Sequence, residues 1–170
     1  RLPMSDGEGG RAYAVALSPD GRILAAGGLD ADAEINGNGG YVYLFDTISG
    51  RIVQRLGPMP AIVNDLDYSA DGQRLAAALD ASSGVLMWQA PFKGPGAQAA
   101  YDASVSTVEF DAAGVLYAIS GDGQFSIIDP PFTPRLRIPL AGGAKADSLS
   151  ISPDGTRMAL GYSDRAGIDI

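Results

Sequence analysis

The sequence predicts an all-β chain made of one repeated unit. Three observations carry this: a turn tetrapeptide that returns four times, an alternating apolar run on both sides of every copy, and no segment with a sustained helical period. The turns are Ser18-Pro19-Asp20-Gly21, Ser69-Ala70-Asp71-Gly72, Asp111-Ala112-Ala113-Gly114 and Ser152-Pro153-Asp154-Gly155, with glycines 51, 42 and 41 residues apart. Proline presets one turn dihedral and glycine accepts positive φ, so each copy reads as a hairpin between two strands.

The strand before each turn, A, carries Val15 and Leu17, then Leu66 and Tyr68, Val108 and Phe110, and Leu149 and Ile151. The strand after it, B, covers Ile23 to Ala26, Leu75 to Leu79, Val115 to Ile119 and Met158 to Leu160. A third run, C, follows at Tyr41 to Asp46, Val85 to Gln89, Phe125 to Asp129 and Ile168 to Ile170. A fourth, D, is clear at Arg51 to Leu56 and Arg135 to Leu140, whereas Pro91, Gly94 and Pro95 make its counterpart in residues 92 to 100 doubtful. From turn glycine to the polar end of C is 25, 17 and 15 residues in the first three units, which places an insertion at residues 28 to 40.

Composition narrows the chemistry. A length of 170 residues with 46% hydrophobic content suits one domain with a buried core. With no cysteine, there are no disulfides, thiolate nucleophiles or zinc fingers; with no histidine, the commonest general acid-base group is missing. Carboxylate chemistry, or none, remains, and no cofactor is expected. The net charge of -8, with ten scattered arginines and only Lys93 and Lys145, argues against a nucleic-acid partner. No apolar run approaches the roughly 20 residues that cross a bilayer, so no membrane partner is expected. No charged-then-apolar leader follows Arg1, which leaves a cytoplasmic location as the expectation and suggests a chain cut from something longer.

A unit of four short antiparallel strands recurring every 40 to 45 residues or so has the period of a propeller blade. The pattern of alternating strand, Ser-Pro-Asp-Gly turn, hydrophobic strand and a third strand ending Phe45-Asp46, Trp88-Gln89 or Ile128-Asp129 resembles WD-repeat β-propellers, and is similar to bacterial members of that family. It departs from the family pattern in having no Gly-His pair and no Trp-Asp dipeptide, so the family's side-chain tetrad cannot form in full, although Asp122 and Asp164 stand where its turn aspartate would be. The stretch Gly10 to Arg22 with Tyr43-Leu44-Phe45-Asp46 resembles propellers attached to caspase-like peptidase domains, whose catalytic Cys and His would lie outside this sequence.

The expected fold is therefore a partial WD-repeat β-propeller over residues 1–170, four blades' worth of four-stranded antiparallel sheets. Residues 1–4 are the outer strand of a shared blade, 12–56, 63–100 and 104–140 are blades, and 146–170 is an incomplete blade. Propellers have about four to eight blades, and WD-repeat rings are usually larger than four, so this chain is expected to be part of a larger ring; two copies assembling into one ring is the alternative.

Candidate sites are few. Asp30, Asp32, Glu34, Asn36 and Asn38 alternate in the insertion and could wrap calcium, but Ile35 and Tyr41 stand where an EF-hand needs glycine and glutamate, so a solvated acidic loop is the expectation. Gly27-Gly28 and Gly37 to Gly40 have no following lysine or helix and read as turns rather than a phosphate cradle. Carboxylate pairs such as Asp65 and Asp67 could do glycosidase-type work, but no second set visibly converges on them. Met59, Ile62 and Tyr101 lie in connections expected to gather on one face, and are the candidates for docking a protein partner; an equal alternative for Met59 and Ile62 is that they cover the blade edge. The resulting expectation is a non-catalytic protein-interaction scaffold, with an acidic face suited to basic partners. The rivals are a ligand-binding or enzymatic propeller using channel carboxylates, and a regulatory arm of a caspase-like peptidase.

Overall fold

The computed structural model describes residues 11–29, 40–129, 132–152, 154–163 and 168–169. The four turns close alike. Gly21, Gly72, Gly114 and Gly155 all take φ between 67 and 80°, and each donates its N–H to the carbonyl of the first turn residue at 2.8–2.9 Å. The serine side chain then ties both ends together. Ser18 Oγ donates to Asp20 Oδ1 at 2.7 Å and accepts the Ile23 N–H at 2.9 Å. Ser69 repeats this with Asp71 and Arg74, and Ser152 with Asp154 and Arg157. In the third turn Asp111 takes the serine's place, and its Oδ1 accepts the Val115 N–H at 2.8 Å.

Each hairpin grows into an antiparallel sheet in chain order. The first holds β1 (Arg11–Leu17), β2 (Ile23–Leu29), β3 (Val42–Asp46) and β4 (Ile52–Leu56). The second holds β5 (Val63–Tyr68), β6 (Arg74–Leu79), β7 (Gly84–Gln89) and β8 (Ala97–Ala99). The third holds β9 (Val105–Phe110), β10 (Leu116–Ser120), β11 (Gln124–Asp129) and β12 (Thr133–Pro139), and the last β13 (Ala146–Ile151), β14 (Met158–Tyr162) and β15 (Ile168–Asp169). The doubtful outer strand of the second unit exists but has only three residues. Two prolines, and glycines 94 and 96 at positive φ, hold the chain off the ladder until Ala97. Residues 1–4 and most of the insertion lie outside the described residues.

Alternation decides how the sheets stack. Side chains along β6 point to opposite faces in turn. Leu75, Ala77 and Leu79 join a core with Ala14, Ala16 and Ala25 of the first sheet, while Ala76 and Ala78 join another with Val108, Phe110, Leu116 and Ile128 of the third. The third junction buries Ile119 and Phe125 with Ala146 and Leu160. At the first two junctions bulky residues on the leading face of the later sheet meet small residues such as Ala14, Ala16 and Ala25, or Ala76 and Ala78, whereas at the third the trailing face is itself bulky. The first junction is tight enough that a Cβ on Gly27 would lie 2.9 Å from Val63 Cγ1. Contact runs along the inner strands, β1 on β5, β5 on β9 and β9 on β13, so the sheets fan outward from a shared inner edge. On the leading side of the first sheet Tyr13, Val15 and Leu17 are 52%, 62% and 56% exposed.

Phe45, Trp88 and Ile128 share one repeat position, and all three are buried in the core. Trp88→Ala is expected to cost about 3–5 kcal/mol, the range for emptying a large buried aromatic site. Urea unfolding measures it; a loss below about 1 kcal/mol would show that the indole does not hold the first junction.

Candidate functional site

The second and third inner strands bring carboxylates to the inner edge of the fold. Asp65 and Asp67 stand four and two residues before the second turn, and Glu109 two before the third. With Asp111 they line an open cleft of about 460 Å³. This convergence of acids from different blades is the arrangement that a catalytic or ligand-binding propeller would need.

Their hydrogen bonds give them another task. Asp65 Oδ2 accepts from Thr107 Oγ1 at 2.7 Å and from the Val108 N–H at 3.0 Å, across the junction to the next sheet. Asp67 Oδ2 accepts the Phe110 N–H at 2.7 Å, and Glu109 Oε1 accepts the Ile151 N–H at 3.0 Å, each again reaching one sheet forward. Asn64 adds donations to Ser104 Oγ and the Val105 carbonyl. The inner acids are stitches between blades. Alanines 14 and 16 take the corresponding places in the first sheet and serines 148 and 150 in the last.

Burial raises Asp67 to about 6, and the charges of Glu109 and Asp65 add to the rise. Glu109 is raised by burial first and by Asp65 second. The turn aspartates go the other way. Hydrogen bonds from Ser18 and Ser69 hold Asp20 and Asp71 below the ordinary carboxylate range, and those from Ser152 and Thr156 bring Asp154 to about 2. Between the first two turns lies a second, smaller cavity of about 240 Å³, walled by Asp20, Asp71, Ile23, Gly72, Tyr68 and Phe92. Tyr68 and Phe92 meet edge to face with centroids 6.0 Å apart.

The candidate docking residues Met59 and Tyr101 fall in different cores. Met59 is 1% exposed and sits in the first junction, its N–H bonded to the Gly40 carbonyl at 2.7 Å. Tyr101 is 5% exposed, with the Arg137 guanidinium 4.1 Å from its ring centroid. Ile62 is half-buried. As side chains, Met59 and Tyr101 pack the fold rather than face a partner. Asp30, Asp32, Glu34, Asn36, Asn38 and Asp164 lie outside the described residues. Asp122 accepts from Ser120 Oγ at 2.5 Å, a local turn contact. Among the described residues no three acids gather closely enough to hold a metal ion. Glu109 was not singled out in the sequence; its place two residues before a repeat turn, shared with Asp67, is the signal that finds it.

Four antiparallel sheets in chain order, packed along their inner strands, make an all-β fold of the β-propeller kind. Residues 5–35 match the family model of the WD domain, G-beta repeat, and together with the sheets this fits a WD-repeat propeller. A search of the curated proteins finds no match to the chain.

The acids give a signed pH dependence. Asp67 is raised from 3.8 in the unfolded chain to about 6, so its contribution is greatest below 3.8 and is lost as pH rises through about 6. Asp67→Asn keeps an oxygen for the Phe110 N–H and removes the buried charge. At neutral pH the variant should equal or exceed the wild type, by up to about 2 kcal/mol, with a flatter pH profile in urea unfolding. Asp65→Ala instead breaks two junction bonds and should cost about 2–3 kcal/mol. Destabilisation by Asp67→Asn as large as that of Asp65→Ala would contradict this assignment.

Proposed function

We propose that the chain is a non-catalytic scaffold that docks proteins carrying basic segments. The observation that carries this reading is the use made of the inner carboxylates: Asp65, Asp67 and Glu109 each hold a backbone N–H of the next sheet, so their chemistry serves the fold. WD repeats commonly mediate protein–protein contact and their domains are generally non-catalytic, which agrees. The net charge of -8 favours basic partners and repels nucleic acid. Among the described residues no helix is long and apolar enough to cross a membrane. The bare stripe of Tyr13, Val15 and Leu17 is the seat of a further blade, because Leu66 and Tyr68, and Val108 and Phe110, stand at matching places and are buried by a preceding sheet.

Affinity capture with this chain as bait tests the scaffold. The expected result is recovery of basic proteins at low ionic strength and their release as salt shortens the Debye length below about 8 Å. Recovery of no protein at any salt, or turnover of a substrate that Asp67→Asn abolishes, would overturn it.

A further inference from the structure

One blade junction is filled from within and its neighbour is not. Between the second and third sheets the Arg74 guanidinium lies 5.1 Å from the Phe110 ring centroid, and its Nη1 donates to the Gly114 carbonyl at 2.7 Å. The corresponding residues between the first and second sheets are Ile23, Tyr68 and Gly72. Ile23, like Arg74, donates its N–H to the serine of its own turn. Tyr68, like Phe110, directly precedes a turn, and Gly72, like Gly114, closes it. Isoleucine has no cation to place over the ring, and these same three residues border the 240 Å³ cavity.

The cavity is more acidic than the junction that Arg74 fills. Asp20 and Asp71 stand on its two sides, and Ala113 replaces the second of them one blade on. In each carboxylate Oδ1 is bound within the turn, by Ser18 and the Arg22 N–H or by Ser69 and the Gln73 N–H. Tyr68 is 7% exposed, and its hydroxyl has no hydrogen-bond partner among the described residues. Burial, and after it the charge of Asp20, push that hydroxyl up to about 12, so it stays protonated and keeps a lone pair to offer.

We propose that this cavity binds the guanidinium of an arginine presented by a docked protein, stacked on Tyr68 as Arg74 stacks on Phe110 and held by Asp20 and Asp71. The inference rests on the scaffold reading for the source of the arginine and on the neighbouring junction for the chemistry. A planar guanidinium can stack and donate in several directions at once, which selects arginine over lysine.

The test is an amide NMR titration of the whole chain with Nα-acetyl-arginine amide, beside its neutral citrulline counterpart. The expected result is shifts centred on residues 18–23, 68–73 and 92, about tenfold or more weaker with citrulline. Ile23→Arg puts the chain's own guanidinium in the cavity, as the next blade does naturally, and should abolish the shifts; Asp71→Asn should weaken binding without filling the space. Equal response to citrulline, shifts elsewhere only, or undiminished binding in a folded Ile23→Arg chain would overturn the proposal. Should Ile23→Arg fail to fold, the citrulline and Asp71→Asn arms decide alone. A captured partner indifferent to both variants sinks this inference and leaves the scaffold; probe binding with no captured partner overturns the scaffold, and with it the docked protein as the arginine's source, while keeping the guanidinium site.

Discussion

Everything in this structure depends on two-sided burial. A sheet of Leu75, Ala76, Ala77, Ala78 and Leu79 is apolar on both faces, so it cannot sit on a core with its back to water as a sheet of alternating polarity does. It must be sandwiched, and a chain of such sheets has to stack each on the next. At the first two junctions small residues on the trailing face and bulky ones on the leading face make that stacking directional. Alanines 14, 16 and 25 and Gly27 let the second sheet approach closely, and Trp88, Leu75 and Leu66 fill the space that results.

Packing of this kind is indifferent to small slips, and the polar groups supply the register. Carboxylates at fixed distances before each turn reach one sheet forward to a backbone N–H, so Asp65, Asp67 and Glu109 accept only one alignment of neighbouring inner strands. Desolvation makes this costly for Asp67, whose pKa is driven up, and its ionisation opposed, by burial beside two other acids. The turns do the opposite with the same residue type. Exposed Asp20, Asp71 and Asp154 gather hydroxyl and backbone donors and ionise more readily than a free carboxylate. Acids therefore play two structural parts here.

Much of the fold was legible because repetition averages out local ambiguity. Four turns in step located the hairpins, and the strand ends found from alternation agree with the observed ones within a few residues. The short β8 was hidden because prolines and glycines break the pattern that a strand reader follows, yet three residues suffice to pair when β7 is already in place. Docking residues were less legible. Met59 and Tyr101 sit in connections whose neighbouring residues are exposed, but their own side chains turn inward between sheets and are buried. Glu109 carried no motif of its own, and its role exists only because Ile151 of the next sheet arrives opposite it.

The sequence by itself determined the class of fold, the repeat and the exclusion of thiol and imidazole chemistry, since these follow from residue types and from spacings along one strand. The tertiary structure decided what the acids do and where space is left. Whether a carboxylate is a catalyst or a stitch depends on which backbone donor lies across the junction, and that donor is about forty residues away. The same holds for Ile23 and Arg74. They occupy one place in the repeat, and only the packing of neighbouring sheets turns their difference in length and charge into one filled junction and one open acidic cavity.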